Sequence, residues 1–374
     1  MNHLRRSLIK ASAAFAVAAP FKLAAQSRDS YVLGTLFPMS GPVAELGSVF
    51  MNGVLLALEH IKQDAFLSRD IVLKAQDSLA TPQGGAVGMS RLVNVDKAPY
   101  VLTGVTGVSK AAAPIAQRQQ TIMVNGGGVS PDLAELSPYF WNLIPLADQE
   151  LPPALKWLKE QGHSRVALVY VDDPLGAAVL SQLKQTLPEI GGELVGAYSV
   201  PPGLEQFTAI AAQIRQANAD AVYFASYGSQ QLQIIKQLRD AGLNQQLATY
   251  SIGSLPSVIN LPESEGLIFT TQLNDLTRDD AVTVRFIRDW REKYGSDPTS
   301  YAQNYYNGTF LYARLLAELE RTGEKITGDN MRAAMLRIRT FEMAGGEISF
   351  NDNGTATMPI QINQVRGASV KVLT

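Results

Sequence analysis

Three histidines and no cysteine set narrow limits on the covalent chemistry open to this 374-residue chain. His3 lies near the N-terminus. His60 follows Glu59 in an amphipathic stretch, where a solvated helix face is expected. His163 follows Gln161-Gly162 in a turn between a helix and a strand. Neither internal histidine has the HExxH spacing of a metallopeptidase or a serine placed as its partner. Without cysteine there is no thiolate nucleophile, zinc–thiolate site or disulfide framework. Asp172-Asp173 and Asp279-Asp280 are acid pairs that a cation could use, but loop and helix-cap roles account for them without one. Gly126-Gly127-Gly128 lacks the Lys-Ser/Thr of a phosphate loop and the spacing of a dinucleotide fingerprint. No enzyme, cofactor or metal is therefore indicated, and reversible binding is the chemistry that remains.

Groups suited to binding occur where apolar runs end. Phe37 leads into Pro38-Met39-Ser40-Gly41-Pro42, and Val105 into Thr106-Gly107-Val108-Ser109. Val124 leads into Asn125-Gly126-Gly127-Gly128, and Phe224 into Ala225-Ser226-Tyr227-Gly228. Each loop taken alone is explained by turn and cap propensities. Four of them at strand ends point to a small-molecule cleft, because backbone amides and hydroxyls there open helices whose N-termini favour anions.

The elements that carry these loops alternate. Strands are expected at Tyr31–Phe37, Ile71–Gln76, Tyr100–Val105 and Thr121–Val124, with helices at Val43–Ile61, Pro82–Val95 and Ala111–Gln119. The alternation resumes with strands Arg165–Val171, Glu193–Val200 and Ala221–Phe224, and helices Leu175–Leu187, Phe207–Ala217 and Gln230–Ala241. Beyond Leu273–Asp280 two longer helices, Asp280–Tyr294 and Ser300–Arg321, precede a short helix near Asp329–Ile338 and three short strands. Such alternation implies βαβ units and doubly wound parallel sheets. In those sheets a ligand lies at the C-terminal strand ends.

The first 25 residues read as an export leader. Arg5-Arg6-Ser7-Leu8-Ile9-Lys10 is followed by an apolar, Ala-rich run and by Leu23-Ala24-Ala25, with cleavage expected after Ala25. Twin arginines favour the pathway for folded proteins, and the destination is the periplasm. The whole chain carries −2; the leader holds four basic residues and no acid, so the mature chain carries −6. That balance argues against nucleic-acid or anionic-membrane partners. No later segment is expected to have the ~18 uncharged apolar residues of a membrane span. The length calls for two domains.

Ser40-Gly41-Pro42-Val43-Ala44-Glu45-Leu46-Gly47, after the first strand, resembles the opening of type I periplasmic solute-binding proteins. The set it is most similar to is the branched-chain amino-acid (Leu/Ile/Val) binding proteins of ABC importers. Asp77 with Pro82, Ser130-Pro131-Asp132-Leu133, Asp220-Ala221-Val222-Tyr223 and Ala241-Gly242-Leu243 carry the same resemblance. So do Gly266-Leu267, Tyr301 with Tyr305, and Phe350-Asn351-Asp352-Asn353-Gly354. It spans Tyr31 to Val372.

The resemblance implies two α/β lobes, each a doubly wound parallel sheet, joined by a three-strand hinge. Lobe one is expected at 28–144 plus 272–357 and lobe two at 145–271 plus 358–374. It implies a monomer that traps a small molecule by hinge closure and delivers it to a membrane permease. A periplasmic sensor docking on a receptor is the alternative use of the same fold. By analogy the ligand carboxylate and amino group fall near Thr106, Val108 and Ser109 and near Gly127, Gly128 and Val129. Val129 replaces the family threonine, and Leu46 an aromatic. Tyr227 matches the tyrosine that covers the ligand. Ile252 stands where the family acid pairs with an α-ammonium, which makes a less polar carboxylate, an amide or an aromatic acid as good an expectation as a branched-chain amino acid; Asp77 or Glu45 is the substitute acid for the latter. Trp141, beside the first crossover, is expected to support the hinge, and Tyr305 and Tyr306 to be core.

Overall fold

The computed structural model describes residues 30–373. The export leader and its cleavage point lie outside the described residues. The first part of the chain contains β1 (Tyr31–Phe37), α1 (Ala44–Asp64), β2 (Ile71–Asp77), α2 (Pro82–Asn94), β3 (Tyr100–Thr103), α3 (Thr106–Arg118), β4 (Ile122–Asn125) and β5 (Phe140–Asn142). Its strands form a parallel sheet in the order β2-β1-β3-β4-β5. Tyr31–Phe37 has no polar alternation, and all but one of its residues are buried, as expected for a strand covered on both faces.

The second part contains α4 (Ala147–Glu160), β6 (Arg165–Val171), α5 (Pro174–Glu189), β7 (Glu193–Val200), α6 (Thr208–Gln216), β8 (Ala221–Ala225), α7 (Ser229–Asp240), β9 (Gln246–Thr249), the one-turn α8 (Pro256–Ile259) and β10 (Ile268–Gln272). Three helices follow: α9 (Ala281–Tyr294), α10 (Ser300–Thr322) and α11 (Gly328–Ile338). Then come β11 (Thr340–Met343), β12 (Gly346–Phe350), β13 (Ala356–Thr357), β14 (Ile360–Arg366) and β15 (Ser369–Val372). The second sheet runs β15-β14-β10-β9-β8-β6-β7, parallel except at the edge formed by β14 and β15; β11, β12 and β13 make a small antiparallel sheet. The chain passes between the two lobes three times, at 143–146, 273–280 and 358–359.

Helix α10 packs along α1, so it completes the first lobe although it lies far along the chain. The approach is close: a Cβ on Gly53 would sit 2.4 Å from the Ala302 carbonyl oxygen. By length and composition the stretch Gly41–Asp64 is apolar enough to cross a membrane, although Glu45 and Glu59 leave it short of ~18 uncharged residues. In the fold it is the core helix under α10, with Phe50, Val54 and Ile61 buried.

Several expectations change. Five strands, not three, close the chain, because Gly345, Gly346 and Gly367 at positive φ break the segment into hairpins. Helix α3 begins at Thr106 rather than Ala111. Gly107 and hydroxyl residues mask its first turn in the sequence, but the Ser109 amide already bonds to the Val105 carbonyl at 2.8 Å. Helix α4 is hidden by Pro152-Pro153, which propensity alone excludes from a helix interior. His60 is not on a solvated face. It is 1% exposed, held between Tyr306 and Asp289. Trp141, on β5, is buried against Gly354, and Tyr305 and Tyr306 are core residues of α10.

Candidate ligand-binding site

A small cavity lies between the closed lobes, at the C-terminal ends of the strands. From the first lobe come Val43 and Leu46 after β1, Gly104, Val105 and Thr106 after β3, and Gly127, Gly128 and Val129 after β4. Tyr301 joins them from α10. From the second lobe come Asp173 and Leu175 after β6, Tyr227 after β8, and Tyr250 and Ile252 after β9.

The loop after β4 is shaped by buried Asn125. Its Oδ1 accepts from the amides of Gly127 (3.2 Å) and Gly128 (2.7 Å), and its Nδ2 donates to the Gly128 carbonyl (2.7 Å). Glycine is required at 127, where a Cβ would lie 2.6 Å from the Gly104 carbonyl oxygen and 2.7 Å from the Phe50 ring. Phe50 and Tyr305, whose rings meet at 4.1 Å, thus form the floor beneath this wall.

Two polar poles face one another. One is the start of α3. Its N-cap residue is Val105, which has no side-chain acceptor, so the first-turn amides are not capped by the chain. Thr106 adds a hydroxyl, and the helix dipole makes this end favourable to an anion. The other pole is Asp173. Its Oδ1 caps α5 through the Gly176 amide at 3.0 Å, and its Oδ2 accepts from the Tyr227 hydroxyl at 2.6 Å. Burial raises the Asp173 pKa above the ordinary value, against the lowering by Tyr227 and the backbone amides. No Lys, Arg or His lines the cavity. The other phenols are also anchored: Tyr250 donates to the Ser226 carbonyl at 3.0 Å and Tyr301 to Ser251 Oγ at 3.2 Å. Their rings offer apolar surface to an occupant.

Of the sequence-predicted residues, Leu46, Thr106, Gly127, Gly128, Val129, Tyr227 and Ile252 come together here. Val108 and Ser109 do not. Both are fully buried, Val108 in the apolar core under α3 and Ser109 beside the Thr103 hydroxyl at 3.3 Å. Successive helix residues turn by about 100°, so only the first residue of α3 faces the cleft. Asp77 binds the Met39 and Leu79 amides and the Ser40 hydroxyl instead of lining the cavity. Glu45 reaches across the cleft mouth to the amide of Ser257 (3.0 Å) and to its hydroxyl. Asp173, Leu175, Tyr250 and Tyr301 are additions. The Asp173 signal was present as an acid after a strand; Tyr250 follows a strand too short to stand out, and Tyr301 has no local signature.

The lobes are closed on each other. Besides the Glu45–Ser257 and Tyr301–Ser251 contacts, a Cβ on Gly228 would come within 2.5 Å of the Pro42 carbonyl oxygen. Residues 30–369 match the family model described as periplasmic binding protein. The chain belongs to that family. It is 25% identical over 358 residues to Leu/Ile/Val-binding protein homolog 3 of Brucella melitensis, covering 94% of this chain and 95% of that one. It is 23% identical to the leucine-, isoleucine-, valine-, threonine- and alanine-binding protein of Pseudomonas aeruginosa, over 94% and 92% of the two chains. Among solved structures it superposes on a leucine-binding protein from Thermotoga maritima with a TM-score of 0.83, at 22% identity, covering 92% of this chain and 98% of that one. A solute-binding protein of an ABC transporter from R. palustris, in complex with benzoate, gives 0.82 at 19% identity, with 92% and 95% covered. The chain is therefore a solute-binding protein of type I, not an enzyme.

Proposed function

We propose that this protein captures a small organic acid with an apolar or aromatic body for an ABC importer. The carboxylate would sit against the uncapped N-terminus of α3 and the Thr106 hydroxyl, and the body between Leu46, Val129, Tyr227 and Ile252. The observation that carries this reading is the state of the acidic pole. Ile252 offers no charge, and both oxygens of Asp173 already have donors. A buried ammonium would have to share that carboxylate with Gly176 and Tyr227. Benzoate and 4-hydroxybenzoate in solute-binding relatives of similar fold support the choice of acid. Ligand contacts to both lobes would favour the closed form over the open one, and the permease would recognise the closed form. The lobes would comprise 28–144 plus 272–357 and 145–271 plus 358–374. The mature protein would act as a periplasmic monomer after loss of residues 1–25.

A second reading has its own support. Asp173 is the one carboxylate lining the cavity, and an α-amino acid could direct its ammonium there, as the Leu/Ile/Val-binding relatives suggest. Thermal unfolding of residues 26–374, freed of co-purified ligand, separates the two. Benzoate, 4-hydroxybenzoate and short aliphatic acids are compared with leucine, isoleucine and valine. A ligand bound only by the folded state raises the melting temperature by mass action. A shift with the simple acids alone is expected; a shift with leucine alone overturns the first reading in favour of the second.

A further inference from the structure

Glu150 stands in the first turn of α4, just after the first passage between the lobes, and is fully buried. Its Oε2 accepts from the Ser251 amide at 3.2 Å and from the Ser251 hydroxyl at 3.4 Å. Ser251 Oγ in turn accepts from the Tyr301 hydroxyl at 3.2 Å. Tyr301 belongs to α10 on the first lobe, and Ser251 to the turn after β9 on the second. Three residues in series therefore bridge the lobes directly behind the cavity wall, because Tyr250, Ile252 and Tyr301 all line it. Glu150 Oε1 has no partner among the described residues, and neither has the buried Tyr223 hydroxyl.

We propose that Glu150 is a positioning residue for ligand capture: through Ser251 it holds Tyr301 against the second lobe, and the Tyr301–Ser251–Glu150 series latches the closed form. This rests on the cavity being the solute site. A serine hydroxyl has one hydrogen to give. Once Glu150 takes it, the lone pairs of Oγ are left for Tyr301, and the two bonds reinforce each other. Opening the cleft breaks the Tyr301 bond.

The surroundings set the protonation state of Glu150. Burial raises the Glu150 carboxyl to about 8, and only the amide and hydroxyl of Ser251 pull it down. The titratable groups that face it are the phenols of Tyr223 on β8 and Tyr301 on α10, both pushed further up by its charge. No basic group of the packed elements offsets it. Burial thus favours the neutral carboxyl in the closed form, and the series runs through its acceptor oxygen.

The absence of cysteine makes the test direct. Fluorophores on Val87→Cys and Gln185→Cys, both exposed and on different lobes, report the interlobe distance with and without the acids and amino acids above. In Glu150→Leu the closed fraction is expected to fall and ligand release to quicken about three- to tenfold, the size of one hydrogen bond. Glu150→Gln, which keeps an acceptor for Ser251, should restore closure. Tyr301→Phe should add little to Glu150→Leu, since both break one latch. Additive effects, or a fall in melting temperature in Glu150→Leu with the distance distribution unchanged, would overturn the latch. If no compound narrows the distribution, the ligand reading fails. The effect of Glu150→Leu on the ligand-free distribution still decides the latch.

Discussion

The Nδ1 atom of His60 lies 2.8 Å from the phenol oxygen of Tyr306, inside the contact between α1 and α10. On the other side Nε2 lies 3.0 Å from Asp289 on α9. One imidazole therefore joins the three helices that complete the first lobe. Its pKa is lowered, mainly by burial and next by the Arg285 charge. The neutral ring donates to Asp289 and accepts from Tyr306. Because the folded pKa lies below the unfolded value of 6.5, this stability is fully present above about 6.5 and is lost as pH falls through the folded value. Measured by urea unfolding, the wild type should lose its advantage over His60→Gln steadily on acidification from pH 7.5 to 5. At pH 7.5 that advantage should be about 1–3 kcal/mol, the cost of leaving Tyr306 and Asp289 short of a partner. A gap independent of pH would show that His60 binds its proton equally well in the folded and unfolded chains.

Asp173 decides between the two ligand classes. Asp173→Asn keeps an oxygen for the Gly176 amide or Tyr227 but removes the charge. Binding of a simple carboxylate should hold or tighten, since a buried negative charge near the ligand is lost. Binding of leucine, if that is the ligand, should weaken at least about tenfold, because a charge-assisted bond to a cation is worth about 1.5–3 kcal/mol. Isothermal titration of both ligands on one preparation gives the answer.

Gly127 is a purely steric prediction. Gly127→Ala places a Cβ 2.6 Å from the Gly104 carbonyl oxygen and against Phe50 and Tyr305, with backbone on one side and packed rings on the other. Nothing there can yield cheaply. The variant should lose about 1–3 kcal/mol of stability to overpacking and most of its ligand affinity. A variant with unchanged melting temperature and affinity would mean that the loop after β4 moves freely.

The fold and the site differ in how much of them could be read from the chain. Apolar runs ending in small or hydroxyl residues marked Thr106, Gly127, Gly128, Val129 and Tyr227, because a strand end is a local event. Ser109 was misplaced by a local ambiguity: Thr106-Gly107-Val108-Ser109 serves equally as loop or first helical turn, and the turn sends Val108 and Ser109 into the core. Asp173 looked like a cap, and it is one, yet the same carboxylate lines the cavity. Tyr301 was read only as part of the family resemblance, not as a wall of the cavity. Its place depends on α10 packing back along α1, a contact some 250 residues apart in sequence that periodicity does not encode. Glu150 was hidden likewise, inside a helix that Pro152-Pro153 disguised.

The cleft mouth gives the last prediction. Glu45, at the start of α1, takes the Ser257 amide at 3.0 Å and the Ser257 hydroxyl across the gap between the lobes. Glu45 is exposed and Ser257 half-buried, so water competes for these bonds and their net worth is small. They exist only while the lobes are shut, so their removal acts on opening and not on encounter. Glu45→Ala should therefore raise the ligand dissociation rate by roughly two- to fivefold and leave association nearly unchanged. Stopped-flow displacement of bound ligand measures both rates. A change confined to association would place Glu45 on the entry path rather than on the clasp. The effect should add to that of Asp173→Asn, because one residue closes the rim and the other lines the cavity, with no partner shared between them.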